Sequence, residues 1–528
     1  MKSGAKQAYA APRSMALLTV LSILSPISGL AMEMTLAWRY GASGTVDAFR
    51  VSALLGSLGL ALFFGYLLPH IVVPLFAQYR AEGREEEGWR LATGMALAIS
   101  AVSLPLVAWV WLWPDALTEL FGPGLPEAGR DEAAWLIRCF ALVFLLMAWS
   151  GVIGGLLQAY RLFWPSALAQ LLPNLSLVLA VGLAGRGAGV GPLMLGILSG
   201  NAAMLLILLY MLLRVARSAS IHLSVCLKPA SADSLRKALA MSLPLLAAIL
   251  LSQWGSIVIN RALSSMPGGT LAEFGYAWKL LTLVGLLPAA LATIVFPAFA
   301  DAHAGRDNVE MSRLTGRAFR MTLMLSLPVT VFLLVEYRAV VELVFGRGGM
   351  DAAALAETGQ LFAILLVGAP AGVLAGALGK IAYSMHEPAS PAWVALFSAI
   401  AISLLVPPAA DFAGATGVMW MFSLVSWLGM LGLLIYQIRR YRLIAGWEAA
   451  RYAVLLLFLS AAAAVPALAI RQALDADTTV SFALELALSA TIFAFAVHGL
   501  SRLARIGETS ELWDYAKWQL GQFIARRA

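Results

Sequence analysis

Long apolar runs separated by short polar stretches make up nearly all of this 528-residue chain. Each run reaches 18 residues or more, enough for a helix to cross a hydrocarbon core of about 30 Å. Charge, glycine and proline divide the runs into fourteen predicted helices. They fall at 14–38, 48–78, 88–113, 134–159, 165–185, 190–214, 238–263, 271–299, 316–337, 353–384, 389–409, 414–438, 450–470 and 479–501. The first follows Lys2, Lys6 and Arg13, as the core of a signal peptide would. Its run is long, holds Glu33 and ends in no small-x-small cleavage site, so it reads as a retained helix. Composition agrees: 61% of residues are hydrophobic and 12% charged, where a soluble domain is about a quarter charged. The expected fold class is an all-α polytopic membrane protein.

The chain also repeats itself. Pro74-Leu75-Phe76-Ala77 returns as Pro297-Ala298-Phe299-Ala300, and Ser103-Leu104-Pro105 as Ser326-Leu327-Pro328. Ala159-Tyr160 with Pro165 returns as Ala382-Tyr383 with Pro388; all three proline pairs are 223 positions apart. Phe121-Gly122-Pro123-Gly124 against Phe345-Gly346-Arg347-Gly348, and Gly44-Thr45 with Phe49 against Gly269-Thr270 with Phe274, fit within a shift of one or two. Duplication on this scale is a mark of membrane transporters. The matched elements span helices 1–5 and 7–11, so each unit holds six helices, an even number. Two parallel lobes follow, related by a pseudo-two-fold axis along the membrane normal, with helices 13 and 14 left as an addition.

Loop charge gives an orientation. Arg80, Arg84 and Arg90, then Arg161, Arg214, Arg217, Lys228, Arg236 and Lys237, fall on one side. So do Arg306, Arg313, Arg317, Lys380, Arg439, Arg440 and Arg442, whereas the opposite loops are richer in acids, as at Asp115, Glu119, Glu127, Asp131 and Glu132. Both termini are therefore expected in the cytoplasm. The domain plan is a cytoplasmic N-terminus at 1–13, an N-lobe at 14–214, a linker at 215–237, a C-lobe at 238–438, helices 13 and 14 within 439–503, and a tail at 504–528. In the tail, Trp513, Ala516, Leu520, Phe523 and Ile524 share one helical face, which suits an amphipathic helix on the membrane surface or a helix packed under the bundle.

An ionisable group at bilayer depth costs about 2.5–3.5 kcal/mol and normally faces a cavity or a partner. Candidate substrate-binding residues of a central cavity are Lys279, Glu33, Asp47, Arg50 and Arg261; Arg138 and Glu485 are further intramembrane charges. Asp47 and Arg50 are one turn apart and could pair with each other. Lys279 lies about 13 Å along its helix, deep enough to meet a cavity. Pro69, Pro74, Pro105, Pro297 and Pro328 interrupt helical hydrogen bonds and are candidate hinges or static kinks. Gly56, Gly59 and Gly65 add close packing or hinge freedom.

The histidines and the two cysteines, Cys139 and Cys226, form no metal-spaced set, and no P-loop, nucleophile elbow or nucleotide fingerprint is present. No cofactor, catalytic residue or metal is expected, and no nucleic-acid partner. The chain reads as a transporter rather than an enzyme, driven by an ion gradient, the membrane potential or the substrate's own gradient.

Helices 1–3 resemble the opening of the lipid II flippase family (MurJ/MviN-like), within the multidrug/oligosaccharidyl-lipid/polysaccharide exporter (MOP) superfamily. The resemblance rests on Ser25-Pro26-Ile27-Ser28-Gly29-Leu30-Ala31-Met32-Glu33, Tyr40-Gly41-Ala42, Asp47-Ala48-Phe49 and Val73-Pro74. Gln158-Ala159-Tyr160-Arg161-Leu162-Phe163-Trp164-Pro165 and Ala277-Trp278-Lys279-Leu280 extend it, as does the count of fourteen helices. In the family, arginines of helices 1 and 2 line the cavity and are thought to meet the pyrophosphate and acidic peptide of lipid II. The corresponding positions here hold Pro26, Met32, Leu60 and Ala61, with Gly65 in place of a nearby acid and Lys279 as the remaining cation. Helix 11 carries no acid or amide between Ser390 and Pro408, so the family's sodium site is not expected.

The resemblance implies a flippase working by alternating access in the bacterial inner membrane. Its cargo would be a polyprenyl-(pyro)phosphate-linked saccharide on an undecaprenyl carrier, a cell-envelope or exopolysaccharide precursor. Partners would be membrane lipids and polysaccharide polymerase or glycosyltransferase machinery. Lost arginines favour a cargo less anionic than lipid II. The alternatives are a lipid II flippase proper, a drug/cation antiporter of the same superfamily, a membrane-embedded polymerase, ligase or glycosyltransferase, and a non-transporting scaffold.

Overall fold

The computed structural model describes residues 11–185, 188–218, 232–286, 288, 308–441, 446–473 and 479–506, apart from 386, 388 and 505. Every regular element among them is helical, as the apolar runs require: in lipid a helix satisfies its own backbone hydrogen bonds. Ten helical segments among the described residues are long and apolar enough to cross a membrane. The duplication is visible in these helices. α4 (Glu85–Leu112) holds Ser103-Leu104-Pro105 and α12 (Asn308–Phe345) holds its counterpart Ser326-Leu327-Pro328. α6 (Glu127–Ala159) and α13 (Ala352–Ser384) are each 33 residues long.

The chain forms two compact units, 1–272 and 273–528. In the first, α6 is the central post, touched by α2 (Gly44–Gly59), α3 (Leu67–Ala81), α4, α5 (Pro114–Phe121), α7 (Trp164–Ala169) and α9 (Gly191–Ser218). Leu136, Ile137, Val143, Ala148 and Leu157 of α6 are fully buried. Close approach to α2 needs glycine: a Cβ on Gly56 would stand 2.7 Å from the Phe140 ring. One on Gly59 would stand 3.2 Å from Phe144 and Met147. These two glycines are packing positions, with Phe140 and Phe144 as the knobs they receive. α1 (Ala11–Tyr40) packs on α8 (Leu172–Leu183), and α10 (Ala232–Ser264) packs within this unit against α2 to α5.

Between α2 and α3 the predicted second helix changes character. Leu60–Tyr66 is a π-helical segment of 7 residues, wider than an α-turn, leading into α3. Pro69 falls three residues after the π-helical segment, in a helix that runs on without a break, and Pro74 lies inside α3. Pro105 and Pro328 also lie inside helices, α4 and α12. Pro297 lies outside the described residues, as do Cys226 and the amphipathic tail.

In the second unit, α12 packs against α13, α15 (Gly446–Ala473) and α16 (Thr479–Leu503). Phe319, Leu323, Met324 and Leu327 of α12 meet Leu456, Ala463 and Ala464 of α15 and Phe493 and Val497 of α16. The alanines of α15 let it approach closely, and the helices outside the duplication therefore share the unit's core. α14 (Ala389–Tyr441) contains the break expected between predicted helices 11 and 12. Ala413 leaves helical geometry, and Gly414 takes φ 60°, ψ −146°, a conformation open essentially to glycine alone. The two arms fold back, so that Val394 and Ser398 lie against Gly429.

Candidate functional site

Asp47 is buried (4% exposed) at the start of α2. It does not pair with Arg50 as their one-turn spacing suggested. Its carboxylate accepts the backbone N–H groups of Gly269 at 2.6 Å and Ala272 at 2.8 Å. α11 (Thr270–Val284) begins just there, so Gly269 occupies the cap position and Ala272 the third helical residue. A cap side chain normally accepts from that third N–H, and Gly269 has none. Asp47 supplies the cap from another helix. Gly269 itself is required: its φ is 100°, and a Cβ would stand 2.6 Å from the Ala42 carbonyl oxygen.

Arg50 pairs instead with Glu33 of α1. Its Nη1 donates to Glu33 Oε1 at 2.9 Å, and its Nη2 donates to Oε2, a two-pronged bridge between side chains 14% and 5% exposed. The fork of the guanidinium fits a carboxylate in this way, and each residue cancels the other's charge. Sequence reasoning found both residues but not their partnership, because a separation of 17 residues across a turn has no helical period to reveal it.

Arg261, at the end of α10, donates to the carbonyls of Glu119 at 2.9 Å and Leu120 at 2.8 Å. It closes the C-terminal end of α5, a favourable place for a cation. Arg138 does the same for α4, reaching the Trp111 carbonyl at 3.2 Å while lying over the Trp135 ring. Lys279 lies partly buried in α11 beside the buried Tyr276, Ala277 and Leu280. Its unit is not that of the Glu33–Arg50 pair.

Of the positions where the family resemblance places arginines, Pro26 and Met32 sit partly buried in α1, while Leu60 (47% exposed) and Ala61 open the π-helical segment. A polar cluster marks the other end of α6. Trp89 Nε1 donates to the Tyr160 hydroxyl at 2.9 Å, and that hydroxyl donates to Glu85. Arg80 stacks on the Tyr160 ring at 4.8 Å. Burial and the neighbouring Glu85 carboxylate push the Tyr160 hydroxyl above its ordinary range, so it stays a donor.

Glu336 of α12 is an intramembrane acid that sequence reasoning missed. The predicted helix ended at 337, which made it interfacial; α12 runs on to Phe345 and buries it completely.

A duplicated all-helical body of membrane-spanning helices defines a polytopic membrane protein. The fold agrees: it superposes on a lipid II flippase MurJ in an inward closed conformation with TM-score 0.78 at 16% identity, covering 92% of this chain and 99% of that one. An inward-facing multidrug resistance MATE family transporter of the MOP superfamily follows, with TM-score 0.65 at 15% identity over 81% of this chain and 98% of that one. In sequence the chain matches the family described as lipid II flippase MurJ over residues 36–488. The probable lipid II flippase MurJ of Rhizobium tropici is 26% identical over 459 residues, 83% of each chain. The lipid II flippase MurJ of Burkholderia cenocepacia is 26% identical over 394 residues, 72% of this chain and 75% of its own. This chain belongs to the lipid II flippase MurJ family. It is a multi-pass membrane transporter and not an enzyme.

Proposed function

We propose that this chain moves a polyprenyl-(pyro)phosphate-linked saccharide less anionic than lipid II across the bacterial inner membrane by alternating access. The observation that carries this reading is the Glu33–Arg50 bridge. The resemblance leads one to expect free arginines in helices 1 and 2, and the one arginine of that region among the candidates is spent on a carboxylate. Pro26, Met32, Leu60 and Ala61 add no charge. Oxyanion recognition therefore falls to Lys279, a point charge suited to a phosphate without two-pronged geometry. In this reading 14–214 and 238–438 are the rocking lobes, α15 and α16 shape a groove for the polyprenyl tail, and both termini lie in the cytoplasm.

Deletion should abolish export of a cell-surface polymer while peptidoglycan synthesis continues. Lys279→Gln should lower export about tenfold, the loss of roughly 1.4 kcal/mol of phosphate interaction. The second reading, lipid II itself, is favoured by the relatives, which carry that name. Depletion that blocks peptidoglycan synthesis and kills the cell would replace the first reading with the second.

A further inference from the structure

Within the second unit three helices bring ionisable groups together where no transport step described above uses them. Glu336 of α12 is 0% exposed, and Glu485 and Ser489 of α16 are 3% and 0% exposed. Glu485 and Ser489 are one turn apart on one face of α16. Arg471, near the end of α15, completes the set of groups that bear on Glu336. No charged group of α13, the other helix packed on α12, bears on it; Asp475 and Asp477, in the α15–α16 loop, lie outside the described residues.

Neither carboxylate oxygen of Glu336 meets a hydrogen-bond partner among the described residues. The Ser489 hydroxyl stands beside Glu336 without reaching hydrogen-bond geometry, and it too is unpartnered. Arg471 does not neutralise the pair directly: its Nη1 donates to the Val335 carbonyl at 2.8 Å. With both acids ionised the cluster would hold two negative charges against one positive, around a fully buried Glu336. An isolated buried carboxylate costs several kcal/mol, and a second negative charge on the neighbouring helix raises that cost. One positive charge is missing.

We propose that Glu336 is a proton-binding site, its buried and unpartnered carboxylate holding a proton at the joint between α12 and the C-terminal helix pair, where Glu485 adds a second negative charge. A metal cation fits less well: the cluster offers two carboxylates and one hydroxyl, and Arg471 repels an ion seated among them. A proton is taken up on the carboxylate itself and lets Ser489 become its acceptor. Release of that proton charges the joint, so docking of α15 and α16 on α12 is tied to protonation. Protonatable acids in this setting are the usual parts of proton relays in membrane transporters.

The test uses the full-length chain in lipid nanodiscs, melted at a series of pH values from about 5 to 9, in sodium and in potassium buffer. A proton held by the folded state and lost on unfolding makes stability fall as pH rises. The wild-type melting temperature should fall by about 2 °C or more across the series, equally in both buffers. Glu336→Gln and Glu485→Gln, which mimic the protonated form, should flatten the slope, and either variant alone reads the site if the other fails to fold. Infrared spectra should show a protonated carboxyl band at neutral pH that Glu336→Gln removes. A slope unchanged in both variants, absence of that band, or recovery at high pH in sodium but not potassium would each overturn the proposal.

Discussion

Gly269 opens α11 with no side chain to cap it, and the carboxylate of Asp47 completes the turn from α2. Asp47→Ala should therefore cost about 1–2 kcal/mol, with Asp47→Asn costing less because an amide oxygen can still accept one N–H. Thermal unfolding in detergent reads this; equal melting of the alanine variant and wild type would exclude the cap. Glu33 and Arg50 are coupled more tightly. Glu33→Gln removes the carboxylate from a partly buried guanidinium and should cost about 1–3 kcal/mol, and the double variant Glu33→Gln with Arg50→Gln should recover part of it. Both residues were legible in the sequence as expensive intramembrane charges. Their partners were not, since Asp47 finds its donors 222 and 225 residues away and no local periodicity reports contacts of that range.

Helix packing follows from volumes that the sequence states plainly and positions that it does not. Gly56 stood out as a small residue in a predicted span; that it receives Phe140 is a matter of tertiary register. Gly56→Leu should destabilise the first unit by about 1–3 kcal/mol, and Phe140→Ala in the same chain should restore part of the loss, as a double-mutant cycle on unfolding would show. Gly414 makes the complementary case. Helices 11 and 12 were separable in the sequence because Gly414 stands at their junction, and its positive φ with extended ψ explains why the chain turns there. Gly414→Ala should lower the melting temperature, at a cost of about 1–3 kcal/mol, although no neighbouring atom crowds the site. The π-helical segment at Leu60–Tyr66 had no such signal. Apolar periodicity tolerates one extra residue per turn without breaking the run, so a span predicted as one helix conceals the change.

Over the entire chain, the class and the duplication were readable because they depend on composition and on short repeated words rather than on side-chain geometry. The role of helices 13 and 14 was not. Nothing in an apolar run says which unit it joins, and α15 and α16 prove to share the core of α12. A chain truncated after Tyr441 should then strip Phe319, Leu323 and Leu327 of much of their cover and accumulate poorly in membranes, measurable as loss of a monodisperse peak on size exclusion. The cap on α11 has a consequence in time. Gly269 emerges from the ribosome 222 residues after Asp47, a delay on the order of 10–45 s at ordinary synthesis rates. Until then the Asp47 carboxylate waits without its donors, and the start of the later helix goes uncapped. The earlier copy thus stands ready, before the later one is made, with the group that completes it.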